Sequence, residues 1–110
     1  TLPKYCEDYI DGKPQIIIID SSHQYKHTLQ ELKLWYDYLS TNGFIFLHDT
    51  SKKAIEYDAT KEGGVKKALN EWSEEFKVNY ININKLTEID AKAADLTYFD
   101  GCGLGIIQKT

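Results

Sequence analysis

Two short polar clusters carry the residue types that do chemistry. The first is Asp20-Ser21-Ser22-His23 and the second is His48-Asp49-Thr50. Asp20 and Asp49 are hard oxygen donors. Two such carboxylates on one edge suit Mg²⁺ or a similar cation, which takes a few carboxylates along with waters and substrate oxygens. Either aspartate alone reads equally well as a cap on the segment that follows it. His23 offers a neutral imidazole able to take a proton from a substrate hydroxyl, against the plainer reading of a polar residue at a helix start. His23 and His27 stand four apart in HQYKH, the histidine spacing of a zinc-protease helix, but Gln24 occupies the place of the glutamate base that chemistry needs. His27 is therefore expected on the surface. Gly101-Cys102-Gly103-Leu104-Gly105 has the look of a nucleotide loop, yet it leads into a strand rather than a helix and reads as a turn with bulge-tolerant glycines.

The elements that must position these clusters follow from periodicity. Gln15 to Asp20 contains four consecutive isoleucines, which cannot alternate between core and water. The run predicts a strand buried on both faces, with helices on both sides, as in a parallel sheet. Ligands of open α/β sheets sit beyond the carboxyl ends of the strands, where Asp20 to His23 falls. Ser21 with Gln24 three residues on has the capping-box pattern and predicts a helix from that point. Tyr25, Leu29, Leu32, Tyr36 and Leu39 supply its apolar stripe, and Asn42-Gly43 a left-handed stop. Phe44 to Leu47 is a second strand, ending in His48-Asp49-Thr50. A strand–helix–strand unit is right-handed and parallel, so both polar ends open on one edge, separated by a strand spacing of roughly 5 Å or a little more.

The remaining segments are read more simply. Thr1 to Ile10 predicts a short helix broken by Asp11, Gly12 and Pro14. Ser51 to Glu62 lacks a period and is expected to be a loop over the site. Gly63-Gly64 opens a helix in which Val65, Leu69, Trp72 and Phe76 share a face. Val78 to Ile83 has strand composition, Asn84 to Asp95 is a polar connection, and Leu104 to Gln108 is a last strand, antiparallel to the one before it.

Composition bounds the rest. The chain has 110 residues, 42% hydrophobic and 27% charged, with a formal net charge of -4. These values are those of an ordinary soluble globular protein, one domain at most over 1–110, and give no electrostatic case for nucleic acid or an anionic membrane. No apolar run reaches the roughly 20 residues that span a bilayer, and the first ten residues lack the regions of a signal peptide, so the cytoplasm is the expected location. Cys6 and Cys102 are far apart and read as two free thiols.

The stretch IIIIDSSHQYKHTLQELKLWYDYLSTNGFIFLHDT, the later GGV helix start and the GLG strand together resemble the C-terminal half of class I S-adenosylmethionine-dependent methyltransferases. The nearest branch is the one grouping macrocin-type and rhamnosyl O-methyltransferases with cephalosporin hydroxylase-like proteins. The resemblance implies a partial Rossmann-like sheet, strands four to seven with flanking helices. It implies an O-methyltransferase acting on a small-molecule hydroxyl such as that of a sugar, with S-adenosylmethionine and Mg²⁺ as cofactors. Position by position, Asp20 and Asp49 match metal carboxylates, His23 matches a general base, and His48 falls where some metal-dependent members place a glutamate ligand. Nothing before Gln15 matches the glycine-rich loop that holds the cofactor, so cofactor-binding residues are not assigned. Two other readings compete: a non-catalytic assembly module of the same fold, and a nucleotide hydrolase, which the absence of GxxxxGK[ST] disfavours. Without the first strand of that sheet, Ile16 to Ile19 becomes an apolar edge, and the chain is expected to form a homo-oligomer that covers it.

Overall fold

The computed structural model describes residues 12–83 and 101–110. The expected helix over Thr1 to Ile10, with Cys6, and the connection Asn84 to Asp95 lie outside the described residues. The described elements run β1 (Ile16–Ile19), α1 (Tyr25–Tyr38), β2 (Phe44–His48), a 3-10 helix (Lys53–Tyr57), α2 (Gly64–Phe76), β3 (Tyr80–Ile83) and β4 (Leu104–Gln108). They form one four-stranded sheet in the order β1-β2-β4-β3. β1 and β2 are parallel, with Ile16 opposite Phe44 and Ile19 opposite Leu47. β4 is antiparallel to both β2 and β3, as expected for the last pair.

Register sorts the side chains into two faces, because alternate residues of a strand point to opposite sides. Ile17 and Ile19, Ile45 and Leu47, and Ile107 face one side. There they pack with Leu32 and Leu39 of the α1 segment and with Val65, Leu69 and Trp72 of α2. Each such large apolar side chain, taken fully out of water, contributes about 1.5–3 kcal/mol. The opposite face holds Ile16, Ile18, Phe44, Phe46, Ile81, Ile83, Leu104 and Ile106. The expectation of a first strand covered on both sides is corrected here. Ile16 is 61% and Ile18 74% exposed, because α1 and α2 both lie on the other face. Phe76, expected on the buried stripe of α2, is also largely exposed at the helix's last residue.

Helix starts depart from the sequence pattern in an informative way. The proposed capping box is not formed: α1 begins at Tyr25, Gln24 makes no side-chain cap, and the Ser21 hydroxyl instead donates to Glu31 Oε1 at 2.5 Å. The cap comes from 33 residues away. Asp58 Oδ2 accepts the backbone N–H of Tyr25 at 3.1 Å, of Gly64 at 3.0 Å and of Glu62 at 3.3 Å. Its Oδ1 accepts the Thr60 N–H at 2.8 Å and the Thr60 hydroxyl at 2.5 Å. One buried carboxylate thus serves the first residue of both helices, where the unsatisfied N–H groups and the helix dipole favour a negative charge. Burial pushes its carboxyl pKa up, but the hydrogen bonds from Thr60, Tyr25 and Gly64 outweigh that and hold it down at about 2, against 3.8 ordinarily. The segment Ser51 to Glu62 is therefore no plain loop; it contains the 3-10 helix and this clamp.

The turn into β2 depends on a glycine. Asn42 is left-handed at φ 66°, and a Cβ on Gly43 would stand 2.7 Å from the Gln15 carbonyl oxygen and 2.8 Å from Leu39 Cδ1. The helix itself has already ended at Tyr38, so Asn42-Gly43 shapes the turn rather than the helix stop.

Two outcomes are expected. Asp58→Ala removes two helix caps and should cost about 2–4 kcal/mol in urea unfolding. Because the Asp58 pKa is lowered on folding, its contribution is complete above pH 3.8 and lost as pH falls through about 2. The urea midpoint of the wild type should drop across that window, and that of Asp58→Asn should drop less. Separately, light scattering at micromolar concentration should give a mass of at least two chains. Ile18→Lys, at an exposed position on the open face, should shift it toward one.

Candidate active site

In register, Asp20 and His48 are the pair that follows Ile19 and Leu47 at the carboxyl ends of the parallel strands. Ile19 and Leu47 face the covered side, so the next residue of each strand turns to the open side, and His48 Nδ1 lies 3.6 Å from Asp20 Oδ1. Asp49 follows with a left-handed backbone, φ 65°, and is buried, with only 3% of its surface exposed. His23 precedes α1 and is also left-handed, φ 64°. Its Nε2 lies 3.0 Å from Asp49 Oδ2 and 3.9 Å from Asp20 Oδ1, while His48 Nδ1 is 3.1 Å from the same Asp49 oxygen. The two clusters expected to converge on one edge do so. With Tyr57 they line an open basin of about 500 Å³.

Tyr57 was not anticipated. It ends the 3-10 helix, places its ring 5.8 Å from the His23 ring, and shares a 3.6 Å hydrogen bond with Cys102 Sγ. That bond, together with the charge of Cys102, raises the phenol's pKa above 10.0, so Tyr57 is a neutral wall of the basin rather than a base. No period or motif in SKKAIEYD marks the tyrosine; only the tertiary position of the 3-10 helix does. His27 lies away from the basin, 3.3 Å from Glu31, as expected of a surface residue.

The segment behind the site is pinned by backbone bonds. The Asp49 N–H donates to the Gly103 carbonyl at 3.0 Å and the Ser51 N–H to the Cys102 carbonyl at 2.7 Å. Buried Thr50 donates its hydroxyl to Asn82 Oδ1 at 2.7 Å, tying the same stretch to β3. The glycine-rich turn before β4 thus supports Asp49, which agrees with reading it as a turn. Gly103 has φ +96°, and a Cβ there would sit 2.6 Å from the Ser51 nitrogen. Left-handed conformations in two non-glycine residues that both line the basin cost energy the surrounding structure must offset, a pattern common at functional sites.

The donor set fits a divalent cation. Asp20, His23 and Asp49 present ligand atoms that all lie within 4.8 Å of one another, and His48 stands against the same two carboxylates. A second cleft, of about 460 Å³, has Asp37 and Lys77 as its charged side chains and no cluster of catalytic type.

A family profile described as a methyltransferase domain matches residues 1–50. The O-methyltransferase from Bacillus cereus, solved in complex with SAH, superposes with a TM-score of 0.62 at 9% identity, over 99% of this chain and 46% of that one. A putative O-methyltransferase from Klebsiella pneumoniae gives a TM-score of 0.58 at 8% identity, over 100% and 47%. No curated protein matches the chain. The fold is therefore part of the Rossmann-like methyltransferase sheet, and the chain spans about half the length of these solved structures. Among the described residues, no helix is long and apolar enough to cross a membrane.

Gly103→Ala should lower stability by about 1–3 kcal/mol through overpacking and backbone strain. Gly12 is the control: its φ is +84° but a Cβ would meet nothing within 4 Å. Gly12→Ala should cost the strain alone, and thermal melts of the two variants separate the effects.

Proposed function

We propose that this chain is part of an S-adenosylmethionine-dependent O-methyltransferase whose Asp20, His23, His48 and Asp49 prepare the hydroxyl of a sugar or other small metabolite. The observation that carries this reading is the meeting of both strand-end clusters in one open basin, at the carboxyl edge of a methyltransferase-type sheet. Ligands of such sheets bind at that edge.

His23 is the proton acceptor. With its Nε2–H turned to buried Asp49 at 3.0 Å, the imidazole keeps an unprotonated Nδ1 for the hydroxyl proton, and the Asp49 carboxylate stabilises the imidazolium that results. The ring of Tyr57 limits how His23 can turn. Asp20, Asp49 and His48 would hold a divalent cation, which supplies Lewis acidity that lowers the hydroxyl's pKa and orients it. S-adenosylmethionine, when bound, supplies an electrophilic methyl group on a sulfonium; the described residues assign no contacts to it. Positioning of the hydroxyl by these side chains contributes much of the rate in such a site.

The test is methyl transfer by the protein that contains the complete sheet. His23→Ala should lower turnover by roughly 10²-fold or more, and Asp49→Ala should abolish metal-dependent activity. An unchanged rate in His23→Ala would remove the base assignment. Full activity in a strong chelator would remove the cation. Calorimetry showing no binding of S-adenosylmethionine by that protein would favour a non-catalytic assembly module.

A further inference from the structure

Resting on the reading of the basin as the acceptor site, we propose that Tyr57 is its specificity-determining residue, a platform for the C–H face of a saturated, hydroxyl-bearing ring such as a pyranose. Among the described residues, the other side chains lining the basin are Asp20, His23, His48 and Asp49, all acids or imidazoles. Tyr57 therefore supplies the one benzenoid surface an acceptor there can meet. It is 38% exposed and stands outside the core cluster under α1 and α2, so the core gains little from it.

The side chain is held at both ends. Its backbone closes the 3-10 helix, anchored on one side by buried Ala54, whose N–H bonds to Ser51, and on the other by the Asp58 clamp. Its hydroxyl is engaged by Cys102 Sγ at 3.6 Å, so what remains for a ligand is the ring. Tyrosine has few torsions to fix, and restraint at both ends before a ligand arrives leaves little ordering cost to binding. The ring is inclined at 58° to that of His23 rather than stacked on it, with 5.8 Å between centroids. A ligand ring in contact with Tyr57 at about 3.5–4.0 Å brings its edge hydroxyls within reach of the imidazole.

The lining also selects the kind of ring. The face of an aromatic ring is electronegative and attracts the slightly positive C–H groups on one side of a saturated ring. Around its edge such a ring carries hydroxyls, which the four polar side chains can bind. A planar aromatic acceptor would lay one face on Tyr57 and leave the other against water and polar groups. An acyclic polyol has the hydroxyls but no continuous C–H face to lay on the tyrosine.

The experiment is NMR titration of the protein that contains the complete sheet, ¹³C-labelled at tyrosine, with methyl α-glucopyranoside, with sorbitol and with phenol. The pyranoside should shift the Tyr57 ring signal, identified by its loss in Tyr57→Phe, and should bind roughly fivefold or more tighter than either of the other probes. Tyr57→Phe keeps the ring and should hold the pyranoside affinity within threefold. Tyr57→Ala and Tyr57→Leu should each weaken it at least fivefold and leave sorbitol within twofold; leucine fills the space without a flat face, which guards against a collapse of the wall in the alanine variant. An absence of pyranoside binding, an unshifted Tyr57 signal, phenol or sorbitol binding as tightly, or a pyranoside affinity indifferent to Tyr57→Leu would overturn the assignment. So would a loss in Tyr57→Phe as large as that in Tyr57→Ala. None of these readouts needs methyl transfer. A protein that binds the pyranoside through Tyr57 but transfers no methyl group would end the methyl-transfer reading and leave the platform standing, and methyl transfer indifferent to Tyr57 would do the reverse.

Discussion

The geometry rests on one buried carboxylate. Asp58 closes the first turn of α1 and the first turn of α2 together, accepting N–H groups from Tyr25 and Gly64 while Thr60 and Glu62 fold back onto it. Both helices are thereby fixed at the same end of the sheet. Tyr57, the last residue of the 3-10 helix, and His23, two residues before the start of α1, are fixed with them, which brings the Tyr57 ring beside His23. A cap formed within one helix fixes only that helix. A cap shared by two is a tertiary contact, and it converts local helix formation into the placement of a site.

A second constraint acts from the far side of the basin. Asp49 keeps a left-handed backbone because its own N–H and that of Ser51 are held by Gly103 and Cys102, and because Thr50 is bonded to Asn82. The turn into β4, which lies between β2 and β3, supplies the Gly103 and Cys102 carbonyls, and β3 supplies Asn82. The strained residues are consequently pre-set before any ligand arrives, and the reorganisation that a looser site would require is avoided.

The sheet is asymmetric in its cover. The face under α1 and α2 holds the core, while the opposite face presents isoleucines and phenylalanines, with no Lys, Arg, Asp or Glu among its strand positions. β1 is at the edge, and neither charge nor proline within it discourages another strand from pairing. Natural monomers rarely leave so apolar a face open. That the solved O-methyltransferases most of this chain superposes on are about twice its length is in keeping with a sheet that is only partly represented here.

The sequence by itself determined the strand–helix–strand unit, the antiparallel last pair and the convergence of Asp20, His23, His48 and Asp49. Those follow from apolar periodicity and from the handedness of parallel crossovers, both of which are local or nearly so. The four isoleucines misled on one point: a continuous apolar run states that a strand avoids water, not that the helices among the described residues cover both of its faces. The Ser21–Gln24 capping pattern misled similarly, because a buried Asp58 outcompeted the local cap with a stronger, charged acceptor. Tyr57, the left-handed backbone at His23 and Asp49, and the support given by Gly103 were decided only by the tertiary structure. Each depends on which distant segment lies against it, and hydrophobic patterning along the chain carries no record of that.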